Sequence, residues 1–150
     1  MKERNIKKAP PSMLINEISK LFNDRMRQKT EALGMAEGWR RMLFHLSRND
    51  SLTQLELARR THLSTPAISV TLQKMEAEGL VDRKADPNDQ RAIQVQLTEA
   101  GREADRKVRC AIRETEQEML EGIDPDELLA VRPVLEKMFY NLAGEREQSK

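Results

Sequence analysis

One cysteine in 150 residues, Cys110, excludes an intrachain disulfide. The two histidines, His45 and His62, fall on different segments with no cysteine near them in sequence, so no zinc spacing exists and no metal is expected. A glycine-rich phosphate loop, a nucleophile elbow and a zinc-protease histidine pair are all missing, which argues against an enzyme and against a bound cofactor. Glu114, Glu118 and Glu121 share one helical face but have no base partner, and they read as a solvated surface. No apolar leader follows Met1 and no apolar run is long enough to cross a bilayer, so a cytosolic chain that avoids membranes is the expectation. Internal repeats and low-complexity segments are absent. Aromatics are scarce, three Phe, one Trp and one Tyr against eight Met, so any small-molecule pocket would be aliphatic and Met-rich.

A strong net charge is also lacking: 26 Lys and Arg face 25 Asp and Glu. The distribution is uneven. Residues 1–51 carry 11 basic and 6 acidic side chains, residues 52–98 carry 6 and 6, and residues 99–150 carry 9 and 13. The neutral middle third holds the most informative pattern. Thr53 and Glu56 have the spacing of a capping box, with Leu52 and Leu57 placed as a hydrophobic staple. A second helix start follows at Ser64-Thr65-Pro66, with Pro66 at or beside the first helical position. Ile68, Leu72, Met75 and Leu80 then fall on one side, Thr65, Ser69, Val70, Gln73 and Lys74 lie opposite, and Gly79 supplies a stop. Ile93, Val95 and Leu97 alternate with Ala92, Gln94 and Gln96 as a half-buried strand that pairs with Leu80–Lys84. The turn-forming, polar loop Asp86–Arg91 lies between them. Two short helices followed by such a hairpin make a winged helix-turn-helix, and the small polar face of its second helix suggests DNA reading.

Gly79-Leu80-Val81-Asp82-Arg83-Lys84, then Asp86-Pro87-Asn88-Asp89-Gln90-Arg91, then Leu97-Thr98 with Gly101, resembles the signature of the MarR family of bacterial transcription regulators. The most specific element is Asp, one residue, Arg, five residues, Leu-Thr, met here by Asp89, Arg91, Leu97 and Thr98. Gly38-Trp39 resembles the start of the family's second helix, and the helix layout is similar over nearly the whole chain. The resemblance implies that Arg91 reaches a minor groove, with Asp89 holding the arginine or the wing in shape. It also implies control by a small-molecule effector, and in some relatives by cysteine oxidation.

The flanks read as helices. Residues 1–11 form a basic, flexible arm, read as a solvated tail in preference to a phosphate-contacting one. Ser12 caps a helix to about Leu33, striped by Ile15, Ile18, Phe22 and Met26 and ended by Gly34. A second runs from near Glu37 to Arg48 with Trp39, Met42, Leu43 and Leu46 inward. Arg40, Arg41 and Arg48 lie on its polar side, and Arg48 reads as solvated, with phosphate contact as the sharper alternative. Thr98 caps a long helix to Glu121 with a seam of Ala100, Ala104, Val108, Ala111, Ile112 and Met119. Asp124 and Pro125 open the last helix, which carries Leu128, Val131, Leu135, Met138, Phe139 and Leu142.

The fold expected is mainly α with a small β-hairpin wing. Residues 37–98 form the winged helix-turn-helix, and residues 12–36 and 99–150 form a helical dimerisation region integrated with it. The terminal stripes need a partner surface, which a second copy provides; a monomeric helical bundle is the alternative. Expected contacts to double-stranded DNA are Thr65, Pro66, Ser69, Val70, Gln73, Lys74, Arg83, Lys84, Asp89 and Arg91. Gln73 suits adenine, and Val70 or the Thr65 methyl suits a thymine methyl. The effector pocket would be lined by Phe22, Met26, Trp39, Met42 and Leu43, which also suit plain core. Cys110, beside Arg106, Lys107, Arg109 and Arg113, reads as a buried or inert thiol, with redox sensing as the alternative. The function expected is a dimeric regulator binding a palindromic operator, a repressor released by its ligand. A winged helix that binds protein instead of DNA is the competing reading.

Overall fold

The computed structural model describes residues 6–89 and 91–144, so residues 1–5 of the expected arm, Gln90 in the wing loop and residues 145–150 lie outside it. Ile6–Lys8 form a single 3-10 turn where the sequence suggested only a flexible arm. Helix α1 runs Pro11–Ala32. Ser12 is not its cap. Pro10 stands at that position without a side-chain bond, and Pro11, whose fixed φ suits the first helical residue, opens the helix.

Helix α2 is Trp39–Leu46, shorter than expected at both ends, and Gly38 sits before it with φ +89°. The expected capping box holds: Thr53 and Glu56 cap helix α3, Gln54–Thr61, reciprocally. The Thr53 backbone N–H donates to Glu56 at 2.7 Å, and this bond, with that of the Thr53 hydroxyl, lowers the Glu56 pKa. Helix α4, Thr65–Ala77, is capped by Ser64, whose hydroxyl accepts the Ala67 N–H at 3.3 Å. Gly79 follows at φ +74°, a left-handed backbone that glycine adopts without strain.

Strands β1 (Leu52–Thr53), β2 (Val81–Ala85) and β3 (Ile93–Leu97) make an antiparallel sheet in the order β1-β3-β2. The alternation in the sequence predicts only the β2–β3 hairpin, and β1 is a third strand beyond it. Leu52 lies beside Val95 on one side of β3, and Arg83 lies beside Val95 on the other. Val95 and Leu97 point into the core as expected, whereas Ile93 is partly exposed.

Helix α5 runs Glu99–Leu120. Its buried face is Gly101, Ala104, Asp105, Val108, Ala111 and Thr115, so the apolar seam was misplaced at its ends: Ala100 and Met119 are exposed. Asp105 is buried and pairs with the exposed Arg109, whose Nε and Nη2 lie 2.7 and 2.6 Å from its carboxylate. Thr115 donates to the Met26 sulfur at 3.4 Å and so joins α5 to α1.

The chain divides into two compact units, residues 1–115 and 116–150. In the first, α1 to α4, the sheet and most of α5 enclose one core, centred on Met26, Met42, Leu43, Leu46, Leu57, Ile68, Leu72 and Met75. The second contains helix α6, Pro125–Ala143, which begins with the expected Asp124 cap and a capping box to Glu127. Pro133 lies inside α6, a feature the sequence reading passed over, and no residue of this helix is buried. Among the described residues, no helix is long and apolar enough to cross a membrane.

Candidate nucleic-acid interface

Ser64 and Pro66 fix where α4 begins, and with it which side chains face outward. Ile68, Leu72 and Met75 are fully buried. The opposite side presents Thr65, Pro66, Val70, Gln73 and Lys74 to solvent, with Ser69 half-buried at its edge. Val70 is 53% exposed. The face therefore combines an apolar spot, an amide and one cation. Such a set has the chemistry that base edges offer partners for, and little of a general electrostatic patch.

The wing is shaped by its aspartates. The Asp86 carboxylate accepts from the Gln94 side-chain amide at 2.7 Å and from the Asn88 N–H at 2.8 Å, and these bonds, the Gln94 bond first, lower its pKa. Asp89 accepts the backbone N–H of Arg91 at 3.0 Å, so it shapes the loop backbone. The Arg91 side chain is exposed, and among the described residues its guanidinium has no acidic partner. Lys84 is exposed on the outward face of β2.

Arg83 is placed differently. Its guanidinium donates from Nε and Nη2 to the two carboxylate oxygens of Glu76 at 3.2 and 3.1 Å, and from Nη1 to Gln54 at 3.4 Å. This forked bond is the first cause of a lowered Glu76 pKa. Arg83 stands apart from the other basic residues expected to meet DNA, and alternation along β2 with Val81 was the signal for its inward direction.

Of the five side chains expected to line an effector pocket, Met26, Met42 and Leu43 are fully buried, Trp39 nearly so, and Phe22 packs against them. They build the core itself. A neighbouring cleft of about 420 Å³ opens between α2 and α5, lined by Arg40, Arg41, Phe44, Arg48, Asp105, Val108, Arg109 and Ile112. Arg48 is exposed, as expected, and lies 3.7 Å over the Phe44 ring while donating to the Phe44 carbonyl at 3.0 Å. Arg40 donates to Asn23 at 2.9 Å, and burial, followed by the charge of Arg41, lowers its pKa. The sequence reading placed these arginines on a polar surface and missed the cleft.

Cys110 is exposed, which corrects the expectation of burial, and Arg113 Nη2 lies 3.1 Å from its sulfur. His45 is half-buried edge-on to Phe44 at 5.1 Å, and burial first, then Arg60, Arg48 and Arg41, lowers its pKa. Among the described residues no cluster of three or more His, Cys, Asp or Glu is placed to hold a metal ion.

A family model described as the MarR family matches residues 33–92. A MarR-family transcriptional regulator from Silicibacter pomeroyi is 32% identical, over 91% of this chain and 90% of that one, with a TM-score of 0.67. A mutant MepR from S. aureus bound to an oligodeoxyribonucleotide is similar at 26% identity over 90% of this chain and 99% of that one, TM-score 0.65. A mutant MarR from E. coli complexed with operator DNA shares the fold at 20% identity over 88% and 95% of the two chains, TM-score 0.71.

Proposed function

This chain belongs to the MarR family of transcriptional regulators, and from that premise we propose that it binds a palindromic duplex operator as a two-fold dimer and is a repressor released by a small ligand. The observation that carries the DNA reading is the outward face of α4, where Thr65, Pro66, Val70, Gln73 and Lys74 stand open beside a wing tipped by Arg91. Gln73 matches the two major-groove positions of adenine, and Val70 matches a thymine methyl. Arg91 suits a narrow A·T-rich minor groove. Lys74 and Lys84 serve phosphates, which fix register without reading sequence.

The dimer is supported by apolar surface that a single chain leaves bare. On α1, Met13, Ile15, Ile18 and Leu21 are exposed. On α6, Leu129, Phe139 and Leu142 are 70%, 64% and 92% exposed, among other aliphatic residues. Contiguous patches of this kind mark interfaces, and a second copy is the simplest cover. Two heads then meet half-sites about one helical turn apart, roughly 34 Å. An effector would act by binding one spacing of the heads better than another. The arginine-lined cleft between α2 and α5 supports that role better than the filled core, because it has room. A DNA partner places this work in the cytoplasm.

Binding to duplex DNA measured across salt concentrations tests the reading. Affinity should fall steeply as salt rises, since neutralised phosphates release counterions. Absence of binding to any duplex at low salt would refute the regulator and leave the protein-binding winged helix.

A further inference from the structure

We propose that Arg83 is a positioning residue for DNA recognition, one that pins the wing to α4 through Glu76 and touches no phosphate itself; this rests on the DNA-binding reading above. Pairing with β3 sets Arg83 opposite Val95, on the rung that Leu52 also shares. Strand alternation then points it inward with Val81. Its guanidinium meets both Glu76 oxygens, at 3.2 and 3.1 Å, near the end of α4. It also meets buried Gln54, at 3.4 Å, where α3 begins. One side chain thus links both helices of the helix-turn-helix to the wing. Only 19% of the Arg83 side chain is exposed.

Two consequences follow for recognition. Gln73 and Lys74 act at one groove while Arg91, eight residues beyond Arg83, acts at another. Sequence-specific binding needs both at once, so the angle between α4 and the wing must be set before DNA arrives. A planar fork on a carboxylate sets such an angle, which the point charge of a lysine does not. Glu76 also follows Gln73 by three residues, on the same side of α4. Left unpaired, its carboxylate would repel the phosphates that Lys74 should meet; Arg83 cancels that charge.

The test uses the full-length protein and two probes: a duplex selected by the wild type from a random pool, and an unrelated duplex. Affinities are compared at a temperature where circular dichroism shows every variant folded. Arg83→Lys should lose about tenfold on the selected duplex, the scale of a lost charge-assisted bidentate contact, while the unrelated duplex changes by less than about twofold. Glu76→Gln should lower the ratio of the two affinities similarly, and the double variant should fall no further than the worse single one. A direct phosphate contact would survive in Arg83→Lys, because lysine serves phosphates well, so an unchanged ratio overturns the proposal. Additive losses in the double variant overturn it also. If Arg83→Lys does not fold, the ratio for Glu76→Gln decides alone, and a wild-type value refutes the pin. A wild type that binds no duplex removes the DNA reading and this proposal together. A wild type whose discrimination both variants keep removes only this proposal.

Discussion

Gly101 stands in the first turn of α5, and its substitution by alanine pits two effects of opposite sign against each other. By helix propensity alone, Gly101→Ala should stabilise the chain by at most about 1 kcal/mol. The structure forbids that gain. A Cβ at this position would lie 2.0 Å from the Leu80 carbonyl oxygen and 3.1 Å from Leu97 Cδ2. Ordinary carbon contacts are about 3.5 Å or longer, so the approach falls short by more than an ångström. Nor is Leu80 free to retreat. Its N–H donates to Met75 at 2.9 Å and its carbonyl accepts the Thr98 N–H at 3.1 Å, while Thr98 also bonds Gly79 and Gly101. Relief must move the start of α5 off the turn that ends α4, at an overpacking cost of about 1–3 kcal/mol. One backbone hydrogen bond, about 1 kcal/mol, is stretched as well. The net expectation is a loss of about 1–3 kcal/mol. For a chain of this size that lowers Tm by roughly 2–4 °C per kcal/mol. Urea unfolding followed by far-UV circular dichroism, at one fixed protein concentration because association adds to stability, measures it. A variant as stable as the wild type or more so would refute the close approach.

Arg91→Ala should weaken binding to a selected duplex by about 1–3 kcal/mol while unfolding shifts by less than about 0.5 kcal/mol; equal affinity would show that the wing does not reach the groove. Thr53→Ala removes the side-chain half of the α3 capping box, leaving the backbone N–H bond to Glu56, and should cost about 1 kcal/mol in urea unfolding, so a variant with wild-type stability would leave the hydroxyl cap without value. His45 has a lowered pKa in the folded chain, with burial the first cause, so below about pH 6.5 the unfolded state takes up the proton more readily. Stability is therefore undiminished above that pH and declines as pH falls through it towards the lower folded-state value. His45→Gln should flatten this decline between pH 7.5 and 5.5, and an unchanged slope would exonerate His45.

The elements that were legible in the sequence are those whose signals are local. Thr53 with Glu56, Ser64 with Pro66 and Asp124 with Pro125 each declare a helix start within four residues, and each is found where expected. What escaped depends on partners far along the chain. Strand β1 is two residues long, so Leu52 and Thr53 show no alternation; they pair only because Val95 and Gln94 arrive beside them. The buried face of α5 contains Asp105 and Thr115, polar residues satisfied by Arg109 and by the Met26 sulfur. A count of apolar residues passes over them and drifts to Ala100 and Met119. Ser12 suits a cap by residue type, but Pro11, with its fixed φ, opens the helix one residue earlier. The reading face of α4 was legible because it is the polar side of a short helix with a clear core side. Alternation with Val81 signals the inward turn of Arg83, but its meeting with Glu76 and Gln54 needed the packing of β2 on α3 and α4, and the α2–α5 cleft needed the packing of two helices far apart in sequence.

The neutrality of residues 52–98 is easier to understand once Arg83 is paired. Six cations face six acids across that stretch, and the Arg83–Glu76 pair withdraws one of each from the surface field. Asp86 and Asp89 are turned to loop amides, and Glu56 to the α3 cap, so three more carboxylates have structural roles. Five cations remain exposed: Arg59 and Arg60 on α3, and Lys74, Lys84 and Arg91 on α4, β2 and the wing. Hydrogen bonding to amides leaves those carboxylates charged, so the stretch is close to neutral at its surface as well as by count. So even a balance gives a single head little non-specific affinity, because that term grows with each phosphate neutralised. In the proposed dimer a second head would double the contacts without a second loss of free motion. The exposed apolar faces of α1 and α6 then bear on DNA affinity as well as on assembly, since whatever holds two copies together also determines whether two weak heads act as one.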